Sequence, residues 1–165
     1  MLVVMRHAKA EQDGPSDFER RLARRGIADA RAAGEWLAAQ DVAPDHALVS
    51  AAVRTAETWT AVAEGAGWDL EASYDRGLYA AGPETALDLV REAPSGARCL
   101  VVIGHNPTIA YLAQLLDDGE GDDAAAAAMT AGYPTGALAV FSYDGEWAAL
   151  DPGAATLVGF HVARG

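Results

Sequence analysis

The sequence predicts an α/β fold in which helices cover both faces of a largely parallel sheet. Two observations support this prediction. Short apolar runs alternate with helical patterns up to residue 116, and two of the runs are followed by a histidine two residues after their end. Parallel strands are buried on both faces and so have continuous apolar sequences, with a helix returning the chain to the starting edge. The 165 residues are expected to form one domain with a good core.

The first half of the chain shows this alternation in short blocks. Apolar runs with β-branched residues predict strands, and apolar residues at spacings of three and four predict helices. Gly14, Pro15 and Ser16 indicate a loop, and Ser50 is a plausible N-cap. The expected elements are a strand over residues 2–5, a loop over 8–19, a helix over 22–40, a strand over 46–50, a helix over 51–66 and an edge strand over 70–74.

The second half continues the pattern and then changes to a hairpin. Pro83 and Asn106-Pro107 are placed to start helices, because proline is tolerated in a first turn. An acidic and alanine-rich stretch, residues 117–128, predicts a solvated loop that can continue into a short helical turn. The expected elements are a helix over 83–92, a strand over 99–103, a helix over 106–116 and a hairpin of residues 137–141 and 147–150.

The chain carries a net charge of -12, from 24 acidic and 12 basic side chains. Such a field disfavours nucleic acids and anionic membranes as partners. No apolar run is long enough to cross a bilayer, and residues 1–6 lack a signal-peptide pattern, so a cytoplasmic protein is expected. Cys99 is the only cysteine, which excludes an internal disulfide, and residues 117–123 lack the spacing of an EF-hand.

Four residues lie just after predicted strands: Arg6, His7, Arg54 and His105. The carboxyl ends of parallel strands meet at one edge of a sheet, so these side chains are expected to share a pocket with one or two helix N-termini. Guanidinium groups match phosphate oxygens in a bidentate geometry, and a helix N-terminus favours an anion. The set therefore predicts a site for a phosphoryl group.

The two histidines add chemistry that arginine cannot supply. A neutral imidazole is a nucleophile near pH 7, so one histidine could attack phosphorus and carry the phosphoryl group. The other could donate to an equatorial oxygen as charge moves in the transition state. Arg6 and Arg54 would keep the nucleophile neutral by like-charge repulsion, and they would neutralise the phosphate without a metal.

Three segments in this order and spacing resemble the histidine phosphatase superfamily, which includes cofactor-dependent phosphoglycerate mutases and acid phosphatases. They are Arg6-His7, the segment Ser50-x-x-x-Arg54-x-x-x-Thr58, and Gly104-His105-Asn106-Pro107. The short length and residues 17–26 resemble its small SixA-type phosphohistidine phosphatase branch. The likeness continues to residues 134–137 and the final hairpin. It implies a phosphoglycerate mutase-like, three-layer αβα sandwich with a mostly parallel central sheet.

The resemblance also implies roles for individual residues. His7 would be the phosphorylated nucleophile, and Arg6, Arg54 and His105 would form the rest of the phosphate pocket. Arg20 becomes a candidate phosphate or substrate contact, beside the alternative that it belongs to a solvated face. No metal and no cofactor is implied. The expected partner is a phosphorylated substrate, such as a phosphohistidine-bearing protein domain, and neither a nucleic acid nor a membrane.

Two departures from the family pattern bear on the substrate. Ala8 stands where the family usually has glycine, and residues 76–84 hold no carboxylate before Glu84, where many relatives have a glutamate general acid. An alkoxide leaving group needs a proton, whereas a protonated imidazole leaves readily. The missing acid favours phosphohistidine, although His105 or Glu84 could still supply a proton. We expect a metal-independent phosphatase that acts on phosphohistidine or a related phosphorylated substrate through a covalent intermediate on His7.

Other functions stay open at this point. One alternative is a small-molecule phosphomonoesterase of the same superfamily. Another is a non-catalytic phosphate- or phosphohistidine-binding module, which has no need of a nucleophile. A metal site on His7 and His105 would require carboxylate or thiolate ligands that the motifs do not provide.

Overall fold

A computed structural model, which describes residues 1–165, joins all strands of the protein in one mixed sheet. The strands are β1 (Leu2–Arg6), β2 (His46–Ser50), β3 (Ser73–Asp75), β4 (Leu100–Gly104), β5 (Ala137–Ser142) and β6 (Thr156–Val162). Their order across the sheet is β3-β2-β4-β1-β5-β6. The first four are parallel, whereas β5 and β6 are antiparallel additions at one side. β1, β2 and β4 therefore end at the same edge, as the sequence predicts.

Helices cover both faces of this sheet. They are α1 (Arg24–Ala39), α2 (Val53–Ala66), α3 (Pro83–Arg91), α4 (Thr108–Leu116) and α5 (Asp123–Ala131), with 3-10 turns at Gly77–Tyr79 and Trp147–Ala149. Successive residues of a strand point to opposite faces. Val3 and Met5 accordingly lie in a core cluster with α1 and α2, while Leu2 and Val4 lie in a second cluster with α3, α4 and α5. The fold is the predicted three-layer α/β sandwich. None of its helices has both the length and the apolar character that a membrane crossing requires.

The helix α2 is held close to α1 by two glycines. A Cβ atom on Gly34 would collide with the carbonyl group of Val62, and one on Gly65 would collide with that of Arg31. The two backbones touch at these points, which larger residues would prevent. This contact fixes the helix whose first turn carries Arg54.

The hairpin expected at residues 137–141 and 147–150 is wrong in its second strand. The partner of β5 is Thr156–Val162, and residues 147–149 form a 3-10 turn in place of the expected strand. Trp147 is buried there as part of the hydrophobic core, and its indole N–H donates to the carbonyl of Ala97 at 2.7 Å. The end of the acidic stretch forms α5, because Asp122 caps it through Ala125 N–H and the alanines favour helix.

Candidate active site

The register of β1 and β4 brings two histidines together. Arg6 pairs with Gly104 in the parallel ladder, and the backbone N–H of His7 donates to the carbonyl of Gly104 at 3.0 Å. His7 and His105 are the next residues of the two strands. Their ring centroids lie 5.2 Å apart with the planes tilted by 57°. The predicted meeting of the two rings at one strand edge is confirmed.

The tautomer of His7 follows from its contact with the next residue. Nδ1 lies 2.7 Å from the carbonyl oxygen of Ala8, which can only accept, so Nδ1 carries the proton and Nε2 holds the lone pair. The pKa of His7 is lowered from 6.5 to about 4, mainly by burial and also by Arg54, Arg6 and Arg20, whereas the Ala8 contact acts in the opposite direction. At pH 7 this ring is neutral and can act as a nucleophile through Nε2.

The ring of His105 is fixed by a different residue. Its Nε2 lies 2.8 Å from the hydroxyl oxygen of Ser50, and its Nδ1 is buried without a protein partner. Burial lowers the pKa of His105 to about 3, with His7 and Arg54 as further causes. The sequence assigned Ser50 to a helix cap. In the structure Ala52 occupies that cap position, and the Ser50 hydroxyl contacts His105 instead.

Two guanidinium groups, one on the buried Arg54 and one on the half-buried Arg6, complete this edge of the sheet. Arg54, in the first turn of α2, donates from Nη1 to the carbonyl of Asp17 at 2.6 Å and from Nη2 to Asp17 Oδ2 at 3.2 Å. Arg6 donates from Nη1 to the carbonyl of Tyr133 at 2.9 Å. That carbonyl also accepts from the Asn106 amide at 2.8 Å, so Asn106 does not cap α4.

Several buried polar atoms around these rings have no partner in the protein. Three are nitrogens, namely Arg6 Nε, Arg54 Nε and His105 Nδ1, and the fourth is the acceptor Asn106 Oδ1. A buried donor left unsatisfied costs roughly 1–3 kcal/mol. An oxyanion among them would supply acceptors to both guanidinium Nε–H groups. The arrangement therefore fits a phosphoryl group, as predicted from the residue types.

Arg20 joins the same cluster through a carboxylate. Its Nε donates to Asp17 Oδ1 at 3.0 Å, its Nη2 lies 2.8 Å from the same oxygen, and its Nη1 donates to the carbonyl of Glu11. Asp17 is the residue that also binds Arg54. The structure thus places Arg20 beside the predicted pocket and not on the outer face of α1. Glu84 is exposed in the first turn of α3 and makes no hydrogen bond.

Asp17 and Tyr79 are members of the site that the sequence did not single out. The hydroxyl of Tyr79 donates to Asp17 Oδ2 at 2.6 Å, and its ring meets His105 edge-on at 5.4 Å between centroids. The bonds from Tyr79 and Arg20 hold the pKa of Asp17 far below its usual range. Tyr79 lies within residues 76–84, so a search for any polar group there, and not only for a carboxylate, would have found it.

The described chain holds no group of three or more His, Cys, Asp or Glu side chains arranged to bind a metal ion. His7 contacts a backbone carbonyl through Nδ1, and His105 contacts a hydroxyl group through Nε2. The cationic side chains described around the pocket are Arg6, Arg20 and Arg54.

The chain is similar to known proteins in family, sequence and structure. The model of the histidine phosphatase superfamily (branch 1) matches residues 2–79. An uncharacterized protein of Mycobacterium tuberculosis is 42% identical over 97% of this chain and 100% of its own length. The SixA structure from Nakamurella multipartitia has 31% identity and a TM-score of 0.86, covering 98% of this chain and 95% of that one.

A second solved structure, described as the protein histidine phosphatase SixA complexed with tungstate, has 25% identity and a TM-score of 0.75. The similarity covers 98% of this chain and 96% of that one. Full-length similarity at these levels, together with the family match, establishes the relationship. The chain is a phosphatase of the histidine phosphatase superfamily.

Proposed function

We propose that this phosphatase hydrolyses phosphohistidine carried by a protein, through a covalent phosphohistidine intermediate on His7. The observation that carries the proposal is the 2.7 Å contact between His7 Nδ1 and the Ala8 carbonyl. It leaves Nε2 as the free nucleophilic atom of a ring that is neutral at pH 7. The similarity to SixA structures supports the substrate class.

The reaction has two balanced transfers. In the first, His7 Nε2 forms a bond to phosphorus while the bond from phosphorus to the substrate nitrogen breaks. The substrate imidazole, protonated on its other nitrogen, leaves as a neutral ring. In the second, water attacks phosphorus as the bond from phosphorus to His7 Nε2 breaks, and the product, which keeps both hydrogens of the water, releases one proton to solvent. Inorganic phosphate leaves and His7 regains its lone pair.

The other site residues would stabilise the phosphoryl oxygens during both transfers. Arg6 and Arg54 have buried Nε–H groups available for this, and His105 has an unpartnered Nδ1. Donors held in place at the point where charge develops lower the barrier without reorganisation. Arg20 would contact the substrate from the rim of the pocket.

The environment of Tyr79 favours phosphohistidine over a phosphate monoester. Tyr79 lies in the segment where many relatives carry a carboxylic acid, and its only hydroxyl proton is donated to Asp17. The bond to Asp17 raises the pKa of Tyr79, so the phenol keeps its proton. An alkoxide leaving group would find no acid there, whereas a protonated imidazole requires none.

A hydrolysis panel in EDTA tests the proposal. It compares a phosphohistidine protein, 3-phosphoglycerate, a sugar phosphate and p-nitrophenyl phosphate, using wild type, His7→Ala and the control His46→Ala. His46 lies at the start of β2, away from the edge that carries His7. We expect chelator-resistant release from phosphohistidine, lost by about a thousandfold or more in His7→Ala. Faster turnover of a monoester would reject the substrate, and phosphate binding without turnover would indicate a binding module.

A further inference from the structure

The carboxylate of Asp17 is shared by three side chains of the site. Arg54 Nη2 donates to its Oδ2 at 3.2 Å, and the Tyr79 hydroxyl donates to the same oxygen at 2.6 Å. Arg20 donates to Oδ1 at 3.0 Å. The side chain of Asp17 is nevertheless 56% exposed, so it sits at the rim of the pocket between the two arginines and solvent.

These contacts decide which edge of Arg54 is available. The Nη1 and Nη2 atoms are both used by Asp17, one on its carbonyl and one on its carboxylate. The Nε atom is buried without a protein partner. A guanidinium group can bind an anion side-on through Nε and one Nη hydrogen while its end is occupied by another acceptor. Asp17 therefore occupies the end of the guanidinium group and leaves its Nε–H as the donor without a protein acceptor.

We propose that Asp17 is a positioning residue of the phosphate pocket. Its carboxylate holds the guanidinium groups of Arg54 and Arg20 in place, and the Tyr79 hydroxyl holds the carboxylate. This inference rests on the proposed function. It adds Asp17 to the residues that take part in the reaction. Asp17 acts through Arg54 and Arg20 and makes no bond to the phosphoryl group.

The negative charge of the Asp17 carboxylate should also weaken phosphate binding, and this effect makes the positioning role testable. A negative charge beside a bound phosphoryl dianion is repulsive, although exposure to water weakens the repulsion. Removing the charge while keeping the shape should therefore leave phosphate binding unchanged or tighter. The same change should slow turnover, because Arg54 and Arg20 are no longer held in the geometry of the transition state.

The loop itself stays attached when the carboxylate is changed. The carbonyl of Asp17 accepts from Arg54 Nη1, and the carbonyl of Phe18 accepts from the backbone N–H of Val53 at 3.0 Å. The ring of Phe18 packs edge-on against Tyr79 at 5.0 Å, and the Arg76 guanidinium lies 5.0 Å above its centre. Asp17→Asn keeps all of these contacts, so an altered rate would report on the carboxylate.

The experiment compares wild type, Asp17→Asn, Tyr79→Phe and Asp13→Asn. Asp13 is an exposed carboxylate of the same loop without a hydrogen bond or ion pair, so its variant controls for charge alone. The measurements are kcat and KM on a phosphohistidine protein, the Kd of inorganic phosphate by calorimetry, and thermal melting to confirm folding.

We expect kcat to fall about tenfold or more in Asp17→Asn and about threefold in Tyr79→Phe, with the phosphate Kd unchanged or lower. Asp13→Asn should match wild type. A kcat of Asp17→Asn within about twofold of wild type, an increase in kcat, an equal loss in both Asp variants, or a loss confined to phosphate affinity would overturn the positioning role. Wild type without turnover would reject the proposed function instead, and the positioning role with it, even if phosphate still binds.

Discussion

The Oγ atom of Ser50 lies 2.8 Å from Nε2 of His105 and joins the end of β2 to the end of β4. β2 and β4 are neighbours in the sheet, so this contact crosses one strand spacing at the edge that carries the site. It fixes the ring so that Nδ1 is the nitrogen without a protein partner. The relationship predicts a measurable role for a buried hydroxyl group.

Replacing Ser50 by alanine should lower kcat/KM on a phosphohistidine protein by about tenfold. The expected loss is smaller than the hundredfold or more that removal of a transition-state donor causes, because His105 itself remains. Kinetic comparison with Ser73→Ala, an exposed serine of β3, measures the effect. Equal rates in the two variants would show that the hydroxyl does not orient His105.

Arg54 should not tolerate lysine. The lysine would keep the charge but lose the paired donors that reach Asp17 and the free Nε–H of the pocket. We expect kcat/KM to fall by about a hundredfold or more. The matched control is Arg31→Lys, because Arg31 pairs with Glu64 at the surface. A rate for Arg54→Lys close to that of Arg31→Lys would contradict the bidentate role.

The titration of His7 should be visible in nitrogen NMR spectra. At pH 7 the ring should show a protonated Nδ1 and a free Nε2, with a midpoint near pH 4 in the folded protein. The urea-unfolded chain is the control and should titrate at the ordinary value of about 6.5. A protonated Nε2 in the folded state at pH 7 would rule out the proposed nucleophile.

The same shift predicts how stability depends on pH. Between pH 6.5 and about 4 the unfolded chain binds a proton at His7 that the folded protein does not. The contribution of His7 to the free energy of unfolding therefore falls as the pH falls through this window. Denaturant unfolding at several pH values measures the slope, which should be shallower in His7→Ala than in wild type. An equal slope in both proteins would contradict the lowered pKa.

The contact between α1 and α2 predicts a difference between two glycines. Gly34→Ala places a methyl group against the carbonyl of Val62, whereas Gly96→Ala meets open space. We expect Gly34→Ala to lower the free energy of unfolding by about 1–3 kcal/mol, despite the higher helix propensity of alanine. Gly96→Ala should change it by about 0.5 kcal/mol or less. Equal denaturation midpoints would show that the helices can separate without cost.

The local sequence pattern predicted most of the helices and strands in the first 116 residues. The strand over 46–50 and the start of the helix at Pro83 coincide with the structure, and the other boundaries lie within three residues of the expected ones. These elements depend on apolar periodicity and on proline, which act within a few neighbouring residues. The pattern fails at residues 147–150. Trp147 and Leu150 are buried in the core at a 3-10 turn, so their apolar character does not indicate a strand.

The sequence by itself determined the α/β class and the four residues that meet at the ends of β1, β2 and β4. It could do so because parallel strands always deliver their carboxyl ends to one edge. Only the tertiary structure decided how those side chains are held. Asp17 meets Tyr79 across 62 positions and Ser50 meets His105 across 55. Such pairs depend on the path of loops and on the packing of strands, which no local pattern of residues records.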